Sequence, residues 1–304
     1  MRFDKKSLTS LIIIFAVLLA LVGVKVFNGD VDDNKPASIK IPNNDGQLAV
    51  HFLDVGQGDS AFIELPNGQC MLIDASVSSY GDKIVETIEG HGYTEIDYLV
   101  ATHPHADHIG GMTDVVESFE IGEIYMPKAS STSKTFEGLL TAISDKGLHI
   151  DTASSGETIY SDSEVQIDVL APVSESYDDT NNYSVVVKIT YGSNSFLFTG
   201  DAEALSENEM LDSCYDELNA DVLKVGHHGS STSSSDEFLQ AVSPKYAVIS
   251  CGAGNSYGHP HTETINKFKD MGIDYYRTDI NGTVTISCDG NGNYDIECEN
   301  ELDN

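Results

Sequence analysis

Residues 102–111 read THPHADHIGG. The apolar run before them, IDYLVA, has the character of a strand, and GGMTDVVESF after them has the spacing of a helix. At a strand end, side chains two apart point to the same side, so His103 and His105 can reach one cation. Asp107 and His108 fall on the turn entering the helix and face a point beside the first. That spacing suits two adjacent metal positions better than one tetrahedral cage. Gly110 and Gly111 are expected to keep backbone bulk away from the site.

Working outward, LAVHFLDV, DSAFIEL and QCMLIDA read as three successive strands separated by the turn signals GQG and PNG. GDKIVETIEGHG has apolar residues at helical spacing. SKTFEGLLTAISDKG places Phe136, Leu139, Leu140 and Ile143 on one helix face. Strands return at ETIY, VQIDVLAP, SVVVKITYG and SFLFTGD. They are followed by a helix over 204–218, the strand DVLKVG, a helix near SDEFLQAV and the strand YAVISCG. The helix TETINKFKDMG and the strands DYYRT, GTVTISC and YDIEC close the chain. Two rounds of strands broken by helices predict an α/β protein with two sheets and helices packed outside them, without tandem repeats or a second domain.

The N-terminus is compositionally separate. Arg2, Lys5 and Lys6 precede an uncharged apolar run from Leu8 to Val24, and Asp30, Asp32 and Asp33 follow it. No A-x-A-like cleavage site follows the run, which favours an uncleaved signal-anchor over residues 1–26. The charge asymmetry places residue 1 in the cytoplasm and the rest outside, tethered at the cell membrane or secreted if cleaved. Residues 27–46 read as a polar tether, and 47–300 as the globular domain. Five cysteines without a CxxC pair argue against a full disulfide framework. Cys288 and Cys298 flank a hairpin turn, but equal-length strands would not set them opposite one another. The chain has 49 acidic and 16 basic residues, for a net charge of −33. Such a field repels phosphates over most of the surface, so no strong nucleic-acid electrostatic footprint is expected. A metal could still supply positive charge locally.

The pattern H-x-H-x-D-H after a strand resembles the metallo-β-lactamase superfamily over residues 47–298. FLDVGQGDSAFIELPNGQCMLIDAS resembles the opening strands of the branch containing the extracellular hydrolase domain of competence protein ComEC. FLFTGD, LKVGHHGSS and YGHPH resemble later motifs of that branch, also found in phosphorylcholine esterases. The resemblance implies an αββα sandwich of two mixed sheets. It implies that His103 and His105 bind a first metal, Asp107 and His108 a second, and that Asp201 bridges both. Asp74 would orient a ligand histidine. His259 is assigned as the closing ligand of the second metal. His227 and His228 then serve as general acid and oxyanion donor; in other branches His227 takes the ligand's place. Asp74, Asp107, His227 and His228 are thus the candidate catalytic residues.

Many superfamily members carry a further first-metal histidine before the bridging aspartate. Here the one histidine in that interval, His149, sits in the wrong element, and the expected place holds DDTNNYS with Asn181 and Asn182. The cofactor implied is one or two Zn²⁺, with Mn²⁺ as the alternative. The activity implied is hydrolysis of a phosphodiester, as a nuclease (the form the ComEC resemblance suggests) or a small phosphodiesterase, or of another small anionic ester, since adjacent cations lower the pKa of water and neutralise developing charge. Phosphorylcholine-ester, lactone or β-lactam hydrolysis fits the same fold, and so does a non-catalytic module binding a wall polymer or partner.

Overall fold

The computed structural model describes residues 46–300. The signal-anchor and all but the last residue of the tether lie outside them. The strands are β1 (Leu48–Phe52), β2 (Ala61–Glu64), β3 (Cys70–Ile73), β4 (Glu95–Val100), β5 (Glu120–Met126), β6 (Asp151–Thr152), β7 (Thr158–Ser161) and β8 (Val165–Ala171). They continue as β9 (Val186–Tyr191), β10 (Asn194–Phe198), β11 (Val222–Lys224), β12 (Tyr246–Ile249), β13 (Asp274–Arg277), β14 (Val284–Cys288) and β15 (Tyr294–Cys298). One sheet has the order β15-β14-β1-β2-β3-β4-β5-β6, the other β13-β12-β11-β10-β9-β8-β7. Both are mixed: β3-β4-β5-β6 and β10-β11-β12-β13 run parallel, and the remaining neighbours antiparallel.

The period-2 alternation of the strands sorts side chains into layers. Val50, Ile63, Met71, Val187, Phe196 and Val222 meet between the sheets. Phe62, Cys70 and Leu72, one residue out of step, face the opposite side and pack under helices carrying Ile84, Val115 and Phe136. Leu197, Leu223 and Ala247 do the same beneath Met210, Phe238 and Phe268. Strands buried on both faces read as near-continuous apolar runs, as these do. The helix Lys134–Asp145 buries Phe136, Leu139, Ala142 and Ile143, and Ser133 caps it by accepting a hydrogen bond from the Phe136 amide at 3.2 Å. The helix expected over 204–218 ends at Ser213 and is followed by a short 3₁₀ turn, Tyr215–Glu217. The expected sandwich with two mixed sheets is present.

The hairpin register sets Cys288 opposite Tyr294 and Cys298 opposite Val284, and all five cysteines are free. Among the described residues no helix is long and apolar enough to cross a membrane.

Candidate metal centre

The functional groups collect at one edge of the sandwich, beyond the carboxyl ends of β3, β4, β10 and β11, where open α/β sheets hold ligands. His103 and His105 follow β4. Thr102 just before them donates its amide and its hydroxyl to Asp74, at 2.8 and 2.6 Å. Asp74 follows β3 and also accepts from His108 Nδ1 at 2.7 Å. That bond fixes the tautomer of His108 and turns Nε2 into the cluster, 3.3 Å from Asp201 Oδ1. A Cβ on Gly110 or Gly111 would lie 2.4–2.5 Å from Ser78 N and Ala75 O respectively. The two glycines therefore let the turn pack on the chain after Asp74, rather than clearing space at the metals.

Asp201 stands at the centre and divides its oxygens. Oδ1 faces His108 Nε2 at 3.3 Å and His228 Nε2 at 3.7 Å; Oδ2 faces His103 Nε2 and His227 Nε2, each at 3.8 Å. His105 Nδ1 is 2.9 Å from His103 Nε2, and Asp107 Oδ2 is 3.5 Å from His228 Nε2. At this edge, among the described residues, the three-donor groups with atoms within 4.8 Å of one another are His103–His108–Asp201, Asp107–His108–His228, Asp59–Asp201–His228 and Asp59–Asp74–His108. His105, His227 and His259 fall outside them; the His259 ring lies 5.5 Å from that of His227 and 6.1 Å from that of His228. His227 and His228 have left-handed backbone, with φ of 48° and 53°, an uncommon conformation away from glycine that aims both rings into the site.

The charge pattern matches a cation-binding pocket. Burial opposes ionisation of Asp201, but His108, His228 and His103 outweigh it and hold the carboxyl well below the usual range. Asp107 is half-buried; against the cost of that partial burial, His228 and His108 bring it to about 2. Burial disfavours the His108 and His228 cations, yet the surrounding carboxylates prevail. Asp201 and Asp74 hold His108 well above the ordinary histidine value, and Asp201 and Asp59 bring His228 to about 10. His103, buried beside His108, is pushed well below it. Burial, and then the neighbouring His228, His227 and His261, lowers His259 to about 4. His108 Nε2, His228 Nε2 and Asp201 Oδ1 are buried without a hydrogen-bond partner among the described residues. Unpartnered imidazole nitrogens beside ionised carboxylates fit divalent metal, which would displace the protons these histidines otherwise retain.

Asp59, Lys224, Ser184 and Thr102 complete the site and were missed from sequence. Asp59, between β1 and β2, lies 3.2 Å from His228 Nδ1 and 2.7 Å from Lys224 Nζ. A lone lysine inside the apolar strand VLKVG was the available signal. Ser184 accepts from the Asp201 amide at 3.0 Å and lies 3.3 Å from His103 Nδ1. Asn182 accepts from the amides of Glu203 and Ser206, pinning the loop after Asp201, and buried Asn181 lines the cavity. His149 is exposed, 3.5 Å from Asp151. A cavity of about 330 Å³ opens over the cluster, bordered by Gln57, Tyr257 and His259.

The comparisons with known proteins agree with this geometry. ComE operon protein 3 of Bacillus subtilis is 32% identical over 252 residues, covering 77% of this chain and 32% of its own. Competence protein ComA of Neisseria gonorrhoeae is 31% identical over 244 residues, covering 80% and 32%. The chain thus spans about a third of the length of these relatives. The crystal structure of CmlA, a diiron β-hydroxylase from Streptomyces venezuelae, shares the fold with a TM-score of 0.53 at 14% identity, covering 80% of this chain and 54% of that one. The family model described as "Metallo-beta-lactamase superfamily" matches residues 53–253. By fold, strand-end cluster and relatives, the chain belongs to the metallo-β-lactamase superfamily, in its ComEC-like branch.

Proposed function

We propose that this protein is a zinc-dependent phosphodiesterase. The observation that carries the proposal is the division of the Asp201 carboxylate, one oxygen toward His108 and His228 and the other toward His103 and His227. That disposition suits a carboxylate shared by two cations. His103, His105 and His227 would hold one, with Asp107, His108 and His228 holding the other. His227 thereby supplies the imidazole for which the DDTNNYS segment has no counterpart. His228, rather than His259, takes the closing place assigned from sequence. Bound there, the cations would polarise a phosphoryl oxygen and bring water toward ionisation at neutral pH.

The protein's own groups orient this chemistry. Asp74 fixes the ring of His108 through its outer nitrogen, and the Ser250 carbonyl, 3.1 Å from His228 Nδ1 with Asp59 beside it at 3.2 Å, does so for His228. Thr232 and Glu203, 3.1 and 3.2 Å from His227 Nδ1, do the same for His227. His259, neutral near pH 7 and stacked on Tyr257 with ring centroids 5.6 Å apart, forms a wall of the cavity that can hydrogen-bond a bound ester. The cavity suits a small diester, and the net charge of −33 disfavours long nucleic acid. Nuclease action on short strands and phosphorylcholine-ester hydrolysis are forms of the same chemistry. The apolar run after Arg2, Lys5 and Lys6 supports a domain tethered outside the cytoplasm.

The test is hydrolysis of bis-p-nitrophenyl phosphate, single-stranded DNA and phosphocholine esters by metal-replete protein. Turnover of at least one diester is expected. Inactivity on all of them, with cleavage of a lactone or β-lactam, would overturn the substrate class.

A further inference from the structure

A second group of metal-type donors lies on the outer face of the eight-stranded sheet. In β1, Val50 and Phe52 point into the inter-sheet core, so His51 between them points to the other side; in β2, Glu64 follows Ile63 in the same way. His91 follows the helix Gly81–Gly90 and returns over this face. Glu64 Oε1 lies 3.0 Å from both His51 Nε2 and His91 Nδ1. The three donor atoms fall within 4.8 Å of one another, and the two imidazole centroids are 4.5 Å apart.

Two of the three donor edges are close to those around a ligated cation, and the third is within 4.8 Å. Tetrahedral zinc with bonds of about 2.0–2.1 Å sets its ligand atoms about 3.3–3.4 Å apart, so two edges of 3.0 Å need open by only a few tenths of an ångström. His51 Nδ1 lies 3.0 Å from Thr285 Oγ1 in β14, the outer hydrogen bond that a zinc-bound imidazole commonly makes. Phe62 packs on both imidazoles, at 5.6 and 5.5 Å, and on Tyr93 at 5.5 Å, walling the group with low-dielectric surface. Burial raises Glu64, but hydrogen bonds from His51 and His91 overcome this and hold its carboxyl at about 2. A glutamate is ionised near pH 7 even without such a shift, so Glu64 offers an anionic donor. His51 and Glu64 are buried, whereas the His91 side chain is 33% exposed, which leaves one side open for a cation and a water.

We propose that His51, Glu64 and His91 form a separate zinc site that clamps β1 and β2 to the chain leaving the helix Gly81–Gly90. The site lies apart from the strand-end cluster and shares no residue with it. Its donors, two imidazoles and one carboxylate, are a set that zinc accepts with water as fourth ligand.

The experiment is zinc titration of the full chain by equilibrium dialysis, with Co²⁺ as a visible reporter. His91→Ala should lose one molar equivalent of zinc relative to wild type. It should also lose the part of the Co²⁺ ligand-field absorption contributed by this site. His91→Asn is the second variant should His91→Ala fold poorly. Thr285→Val should keep the stoichiometry and bind that equivalent about 10–100-fold more weakly. Equal zinc stoichiometry and superimposable Co²⁺ spectra for wild type and a folded His91 variant would overturn the proposal, leaving a hydrogen-bonded triad. A chain that fails to load the strand-end cluster still shows the His91-dependent equivalent, so the two proposals fail separately.

Discussion

His108 bonds Asp74 Oδ2 through Nδ1 at 2.7 Å and presents Nε2 to Asp201 Oδ1 at 3.3 Å, so one imidazole links a buried positioning carboxylate to the central one. Asp74→Asn preserves the shape of that first carboxylate but removes its charge and changes which tautomer of His108 it favours. It should weaken metal binding about 10–100-fold, measured by competition with a chromophoric chelator, while the folded circular dichroism signature is kept. Unchanged affinity would remove Asp74 from the site.

Asp201→Ala removes both carboxylate oxygens that face the paired imidazoles. Hydrolysis of bis-p-nitrophenyl phosphate should fall to background, and metal content measured after gel filtration should drop. Retention of full activity would show that Asp201 does not hold the metals.

His228 and His259 separate by readout. His228→Ala should reduce metal content, because its Nε2 lies within reach of both Asp107 and Asp201. His259→Ala should retain metal and lower the rate. The reverse pair of results would restore to His259 the closing position assigned from sequence.

Lys224 and Asp59 form a buried ion pair at 2.7 Å. Lys224→Met leaves Asp59 buried without that partner and should destabilise the protein by about 3–5 kcal/mol in urea unfolding. Asp59→Asn added to Lys224→Met should recover part of the loss. If Lys224→Met alone is neutral, the pair contributes nothing to stability.

Glu64 makes acid sensitivity assignable. Its carboxyl is lowered from 4.5 to about 2, so the stability it adds is complete above 4.5 and is lost as pH falls toward 2. In metal-free protein, Glu64→Gln should be less stable than wild type at pH 6 by roughly 3 kcal/mol. The two stabilities should converge as pH falls through that window, which chemical denaturation at a series of pH values would show. A constant difference across the window would mean that the Glu64 charge is not the cause.

The contiguous half of the site was legible in sequence because HPHADH concentrates ligand chemistry on one strand–helix junction, where side-chain direction follows from local geometry. The choice between His227–His228 and His259 is one that sequence alone leaves open. Both clusters follow strand ends, and what separates them is the left-handed backbone at His227 and His228, which turns those rings inward. Asp59 and Ser184 were hidden for another reason: each acts through a residue far away in sequence, His228 or Asp201, so no local pattern marks it. The layers were readable from alternation along the strands, whereas the end of the helix at Ser213 was not set by any proline or glycine in its neighbourhood.

The two parallel strand sets contribute their ends to the same edge of the sandwich, the first with Asp74, His103 and His108, the second with Asp201 and His228. A cation shared between those two sets would require the two sheets to have docked. On the proposed function, metal bound there would tie the two sheets together at that edge, and chelation should loosen the contact between the sheets before it unravels either one.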